Sequence, residues 1–199
     1  MADDRTHVQD FFAVRAAGWD SRFPDDGPAY TAAVRALRLR PGDRVLDAGC
    51  GTGRALPALR EAVGPGGTVT GADLTQQMLE AARRAGREAS GALLLADAAR
   101  IPLRSGAVDA VFAAGLVSHL PDPARGLAEL ARVVRPGGRL ALFHPVGRAA
   151  LAARHGRSLA DDDLRARPRL TPLLADTGWR LDTYTDEDDR FLALAVRTA

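Results

Sequence analysis

At 199 residues and 21.0 kDa, 46% hydrophobic but only 5% aromatic, the chain suits one domain with a full aliphatic core. Its 27 basic residues are all arginine, a coding bias of a GC-rich genome; interleaved with 25 acidic ones, they form no nucleic-acid footprint despite a pI of about 9.3. A single cysteine, Cys50, excludes a disulfide framework and a cysteine metal site, and the acidic start with no ~20-residue apolar run predicts a cytosolic chain without signal peptide or membrane span.

Residues 7–40 carry two helical patterns around Trp19-Asp20-Ser21-Arg22-Phe23-Pro24. From position 43 strand and helix signals alternate, which predicts a parallel sheet covered on both faces. The first strand, 44–48, runs directly into Gly49-Cys50-Gly51-Thr52-Gly53 and a helix over 54–63. Three alternate glycines remove the Cβ atoms that would hold a ligand off the backbone and allow φ > 0. The helix behind them presents unpaired N–H groups to the same spot. This builds a nucleotide-type pocket at the carboxyl edge of a sheet. The dinucleotide spacing G-x-G-x-x-G would need glycine at 54, where Arg54 stands; the pattern is G-x-G-x-G.

A strand over 68–72 then ends at Asp73, twenty positions past Gly53, where an acid can accept from ribose hydroxyls or favour the N-terminus of the next helix, 76–85. Thr75 is placed to cap that helix. Strands follow at 93–96 and 108–113, then a helix over 124–134 with Pro123 in its first turn. Pro136-Gly137-Gly138 is expected to stop this helix and turn into a fifth strand, 139–143. Residues 145–170 suggest one helix near 148–154 and a break at Pro168. Runs at 179–184 and 190–197, joined by Asp186-Glu187-Asp188-Asp189, read as a hairpin.

Leu46-Asp47-Ala48-Gly49-Cys50-Gly51-Thr52-Gly53 resembles the first motif of class I S-adenosylmethionine (SAM)-dependent methyltransferases, and the run from Arg100 to Phe112 is similar to that family's approach to its fourth strand. The resemblance covers roughly 44–143, in the small-molecule branch. It implies an α/β, Rossmann-like fold: a seven-stranded, mostly parallel sheet closed by an antiparallel hairpin, with helices on both faces. The whole chain would be one domain: a helical cap (1–40), a SAM-binding core (41–145), and a lid segment with the hairpin (146–199).

The resemblance places SAM against Gly49, Gly51 and Gly53, with Cys50 in the same turn, although a small cysteine there can equally pack beneath it. Asp73 would take the ribose and Leu74 the adenine face. Asp97 would accept from the exocyclic amine, with Ala98 offering its N–H; an ordinary turn-capping role is the alternative. Asp47 could attract the sulfonium and amino group, or bond N–H groups of the turn. Ala114 ends the fourth strand beside the cofactor, and Asp109 is structural.

On the acceptor side, His119 lies in the loop over the methionine end, and His144 follows the fifth strand, where open sheets bind ligands. Either could take a proton from an acceptor hydroxyl or amine, or be an ordinary hydrogen-bonded histidine. Trp19, Phe23 and Tyr30 suggest an apolar acceptor wall in the cap. There is no Asn/Asp-Pro-Pro-Tyr run, no Pro-Cys pair and no metal-spaced cluster. The expected activity is methyl transfer to oxygen or nitrogen of a small molecule; a SAM-binding regulatory protein and an RNA or protein methyltransferase are the alternatives.

Overall fold

The computed structural model describes residues 2–22, 26–160 and 162–199. Seven strands form one sheet in the order β3-β2-β1-β4-β5-β7-β6. They are β1 (Arg44–Ala48), β2 (Thr68–Asp73), β3 (Ala92–Leu95), β4 (Val108–Ala114), β5 (Val134–His144), β6 (Trp179–Glu187) and β7 (Arg190–Arg197). The first five run parallel, and β7 enters antiparallel between β5 and β6. The order reverses between β1 and β4, so a crevice opens at their carboxyl ends, where such sheets bind ligands.

Strand alternation divides the core into two layers. Leu46, Val111 and Leu142 point to one face, with Leu127, Leu130 and the fully buried Trp179. Val45, Phe112 and Phe143 point to the other, with Leu37, Leu56 and Leu59. The Trp179 indole donates to the Leu127 carbonyl at 3.0 Å, so a large aromatic side chain is buried with its polar atom paired.

Helices α1 (Ala2–Ala13), α2 (Trp19–Arg22) and α3 (Gly27–Ala36) precede the sheet. The helices α4 (Leu56–Val63), α5 (Gln76–Arg84) and α6 (Pro123–Val133) cover it. Asp122 caps α6, its side chain accepting from the Arg125 N–H at 3.0 Å. Thr75 occupies the cap position of α5 but makes no side-chain cap bond.

The fold differs from the sequence reading in three places. The chain turns through 51–55 before α4 begins, with Pro57 in the first helical turn. Pro136-Gly137-Gly138 lies inside β5 as a bulge: Val134 pairs with Val108 but Arg139 with Ala110. Gly137 there takes φ +73°, and a Cβ on Gly138 would come within 2.6 Å of the Asp109 carbonyl oxygen. After α7 (Arg148–Arg154), Pro168 stands in the first turn of α8 (Arg167–Asp176) instead of breaking a helix.

Candidate active site

The glycine turn is tied to β2. The N–H groups of Gly49 and Cys50 both donate to the Ala72 carbonyl, at 2.8 and 3.0 Å, and the Gly53 N–H donates to the Cys50 carbonyl at 2.8 Å. Gly49, Gly51 and Gly53 take φ of +68°, +53° and +79°, a region that side chains with a Cβ resist. Asp73 clamps the arrangement: one carboxylate oxygen accepts the Gly51 N–H and the other the Thr75 N–H, each at 2.8 Å. Burial raises the Asp73 pKa against these bonds.

Asp47 is the exceptional group. It is 1% exposed, and neither carboxylate oxygen has a hydrogen-bond partner. Burial, reinforced by the charge of Asp73, pushes its pKa up to about 8. The N–H groups of the turn, which could have satisfied it, are committed to Ala72 and Asp73. An orphaned buried carboxylate is costly unless a cation meets it. The sulfonium and amino group of SAM suit that position.

Cys50 packs under the turn. A Cβ on Gly71 would stand 3.0 Å from its sulfur, and burial lifts the thiol pKa well above its ordinary value, so it is no nucleophile.

The N-terminal helices lie across this cradle. Gln9 donates to the Leu74 carbonyl at 2.9 Å, and the Arg5 guanidinium lies 3.0 Å from Asp97, whose other oxygen accepts the Ala99 N–H. Ala98 is half-buried beside it. Asp20 accepts from the Thr52 hydroxyl at 2.6 Å and pairs with Arg87 at 2.7 Å. Phe12 stands edge-on to Trp19 and to His119. Tyr30 packs against Phe112 and Phe143, its hydroxyl pKa raised by burial; Phe23 lies outside the described residues.

At the other side of the crevice, Ala114 ends β4 opposite Phe143, and the loop beyond it lays Leu116 on Gly49, 3.0 Å from where a Cβ would be. His144 ends β5. Its Nδ1 lies 2.7 Å from the Val146 carbonyl and 3.1 Å from the Val146 N–H. Donation to the carbonyl is the shorter contact, and it leaves Nε2 with a bare lone pair. Burial lowers the His144 pKa, as does the charge of Arg165; burial and Arg165 also lower that of His119. Both imidazoles are therefore neutral at pH 7. Arg165 and the cap contacts lie outside the motifs, and only tertiary structure brings them here. Among the described residues no His, Cys, Asp and Glu group could hold a metal.

The methyltransferase-domain model matches residues 46–142, which carry this turn, Asp73, Asp97 and His119. Residues 46–142 of this chain therefore carry a methyltransferase domain, similar to those of class I SAM-dependent methyltransferases. It is 40% identical over 119 residues to methyltransferase GfsG of Streptomyces halstedii, covering 58% of this chain and 42% of the relative. It is 39% identical over 110 residues to 27-O-demethylrifamycin SV methyltransferase of Amycolatopsis mediterranei, covering 53% and 40%. The chain thus spans less than half the length of these curated relatives. A SAM-dependent methyltransferase from Aquifex aeolicus superposes with a TM-score of 0.71 at 25% identity, covering 85% of this chain and 89% of that one.

Proposed function

We propose that this methyltransferase transfers a methyl group from SAM to an oxygen or nitrogen atom of a small molecule. The observation that carries the reading is Asp47, a buried carboxylate without a partner, at the edge of a glycine turn held open by Asp73. SAM brings a methyl group already activated by its sulfonium. In this reading the glycines let it approach the backbone, Asp47 faces its positive end, Asp73 accepts from the ribose, and Asp97 and Ala98 meet the adenine beside Leu74.

What remains for the protein is alignment, which can be worth ~7–11 kcal/mol, and a destination for the acceptor's proton. His144 Nε2 takes that proton, while His119 stays with the loop over the cofactor. Two observations support a small acceptor. The rifamycin relative is named for O-methylation of a small molecule. The arginines of this chain are interleaved with acids instead of forming a nucleic-acid stripe. Among the described residues no helix is long and apolar enough to cross a membrane, and a cytosolic setting fits the lone buried cysteine.

Calorimetry with SAM and its demethylated product, S-adenosylhomocysteine (SAH), followed by a labelled-methyl assay on hydroxyl- and amine-bearing small molecules, tests the reading. Binding of both and transfer to at least one acceptor are expected. Nicotinamide-cofactor binding with no response to SAM would overturn it.

A further inference from the structure

Four charged side chains meet beside the acceptor edge with no part in holding the cofactor. Arg165 is gripped by Asp163 through Nε at 3.2 Å and Nη2 at 3.0 Å, and its side chain is only 13% exposed. Arg148 pairs with Asp186 at 2.9 Å and lies 3.7 Å from Asp163. Tyr184 fastens the same loop by donating its hydroxyl to the Arg165 carbonyl at 2.8 Å.

Two arginines matched to two aspartates would balance as a purely structural cluster. The position of Arg165 says more. Its guanidinium lies 5.9 Å over the Phe191 ring, and Phe191 is the cross-strand partner of His144. Arg165, His144, Phe191, Gly115 and Ser118 together line a recess of about 10 Å³, room for one oxygen-sized group. Asp163 occupies the Nε–Nη2 edge, and Nη1 has no protein acceptor among the described residues. A guanidinium locked by one carboxylate keeps its planar fork pre-organised for a second anion. Beside it both histidines are neutral, so Arg165 is the cation at this mouth.

We propose that Arg165 binds a carboxylate on the acceptor, so that the enzyme selects acidic small molecules and sets the carboxylate beside His144. The inference rests on the methyl-transfer reading. Arg165 then acts by binding and orienting substrate, and His144 remains the group that receives the proton.

The experiment compares matched probes on the SAH-loaded protein by calorimetry: acetate against acetamide, and benzoate against benzamide. The carboxylates should bind about tenfold or more tightly than their amides, as expected for charge-assisted against neutral hydrogen bonds. Arg165→Gln should abolish the preference, and Arg165→Lys should keep only part of it, because the ammonium lacks the fork. Since Arg165→Gln takes from Asp163 its nearer partner and leaves only Arg148 at 3.7 Å, the double variant Arg165→Gln/Asp163→Asn removes both charges, and SAH affinity reports its folding. Equal binding of amides and carboxylates, no binding of either while SAH binds, or a preference that survives both variants would each overturn the assignment of Arg165. Failure of the wild-type protein to bind SAH overturns the methyl-transfer reading, and this inference with it.

Discussion

The two sides of the crevice are built by different means. On the cofactor side the working parts are mostly backbone. The glycine turn after β1 and the end of the next strand lock together through N–H groups that donate to Ala72 and Asp73. On the side proposed for the acceptor the parts are side chains brought from distant elements: His144 from β5, Phe12 and Trp19 from the N-terminal helices, and Arg165 from the segment before α8. Main-chain groups can hold a ligand whatever side chains surround them, whereas a ligand read by side chains depends on the particular residues present.

The sharpest way to break the cofactor side is Asp73→Ala. Two N–H groups lose a charged acceptor together, and in the proposed reading the ribose loses its own. At roughly 1.5–3 kcal/mol for the ribose's hydrogen bond to a charged group, SAH affinity should fall by about 10- to 150-fold. Calorimetry measures it. A fall in melting temperature with unchanged affinity would confine Asp73 to a structural clamp.

On the acceptor side the largest effect is expected at His144. His144→Ala should lower turnover by ~10²-fold, the usual scale for losing a general base, with SAH affinity unchanged. Burial, Arg165 and His119 lower the His144 pKa, while the Val146 bond and Asp26 raise it, and the balance is downward. Turnover should therefore stay level above pH 7 and fall only on the acid side of the ordinary histidine range. Arg165→Gln removes one of the lowering charges and should move that acid limb upward. Full turnover by His144→Ala with an authentic acceptor would leave alignment as the whole catalytic contribution.

This division also explains what could be read from the sequence. Asp47, the glycines and Asp73 stand at fixed local spacing, because a strand, a tight turn and a neighbouring strand end leave few ways to arrange them. The strands were legible for the same reason: Val45-Leu46 and Val111-Phe112 are apolar runs covered on both faces. Pro168 was misread because proline stops a helix from within yet starts one from its first turn, and sequence alone does not say on which side the helix lies. The bulge at Gly137-Gly138 carries the same residues as a turn; only the register with Val108 and Ala110 distinguishes them. Arg165 had no local signal, being one arginine among 27 basic residues until Asp163, Phe191 and His144 surround it.

Asp47 offers a smaller effect on binding but an opposite one on stability. In the folded chain this carboxyl keeps its proton up to about pH 8, whereas unfolded it releases it near 3.8. Between those values the native state holds the extra proton, so the ligand-free protein loses stability as pH rises. The buried Asp73 contributes in the same direction. Asp47→Asn removes the titration at nearly constant shape. Urea melts at pH 5 and pH 8 should show the variant gaining on wild type as pH rises, while its SAM affinity drops about tenfold. Equal pH dependence of the two proteins would show that Asp47 is ionised and paired in solution.

The smallest effect tests whether the N-terminal cap competes with the cofactor for the same groups. Arg5 lies 3.0 Å from the Asp97 carboxylate, the group proposed to accept from adenine, and its own side chain is 44% exposed. An ion pair this open is worth about 0.2–1 kcal/mol, so Arg5→Ala should barely change the melting temperature. If Arg5 and adenine share Asp97, removing the arginine should raise SAH affinity by up to about fivefold, the binding equivalent of that energy. High salt should produce the same gain in wild type, by screening the pair. A loss of affinity in Arg5→Ala would mean instead that Arg5 itself touches the cofactor, and that the cap forms part of the cradle.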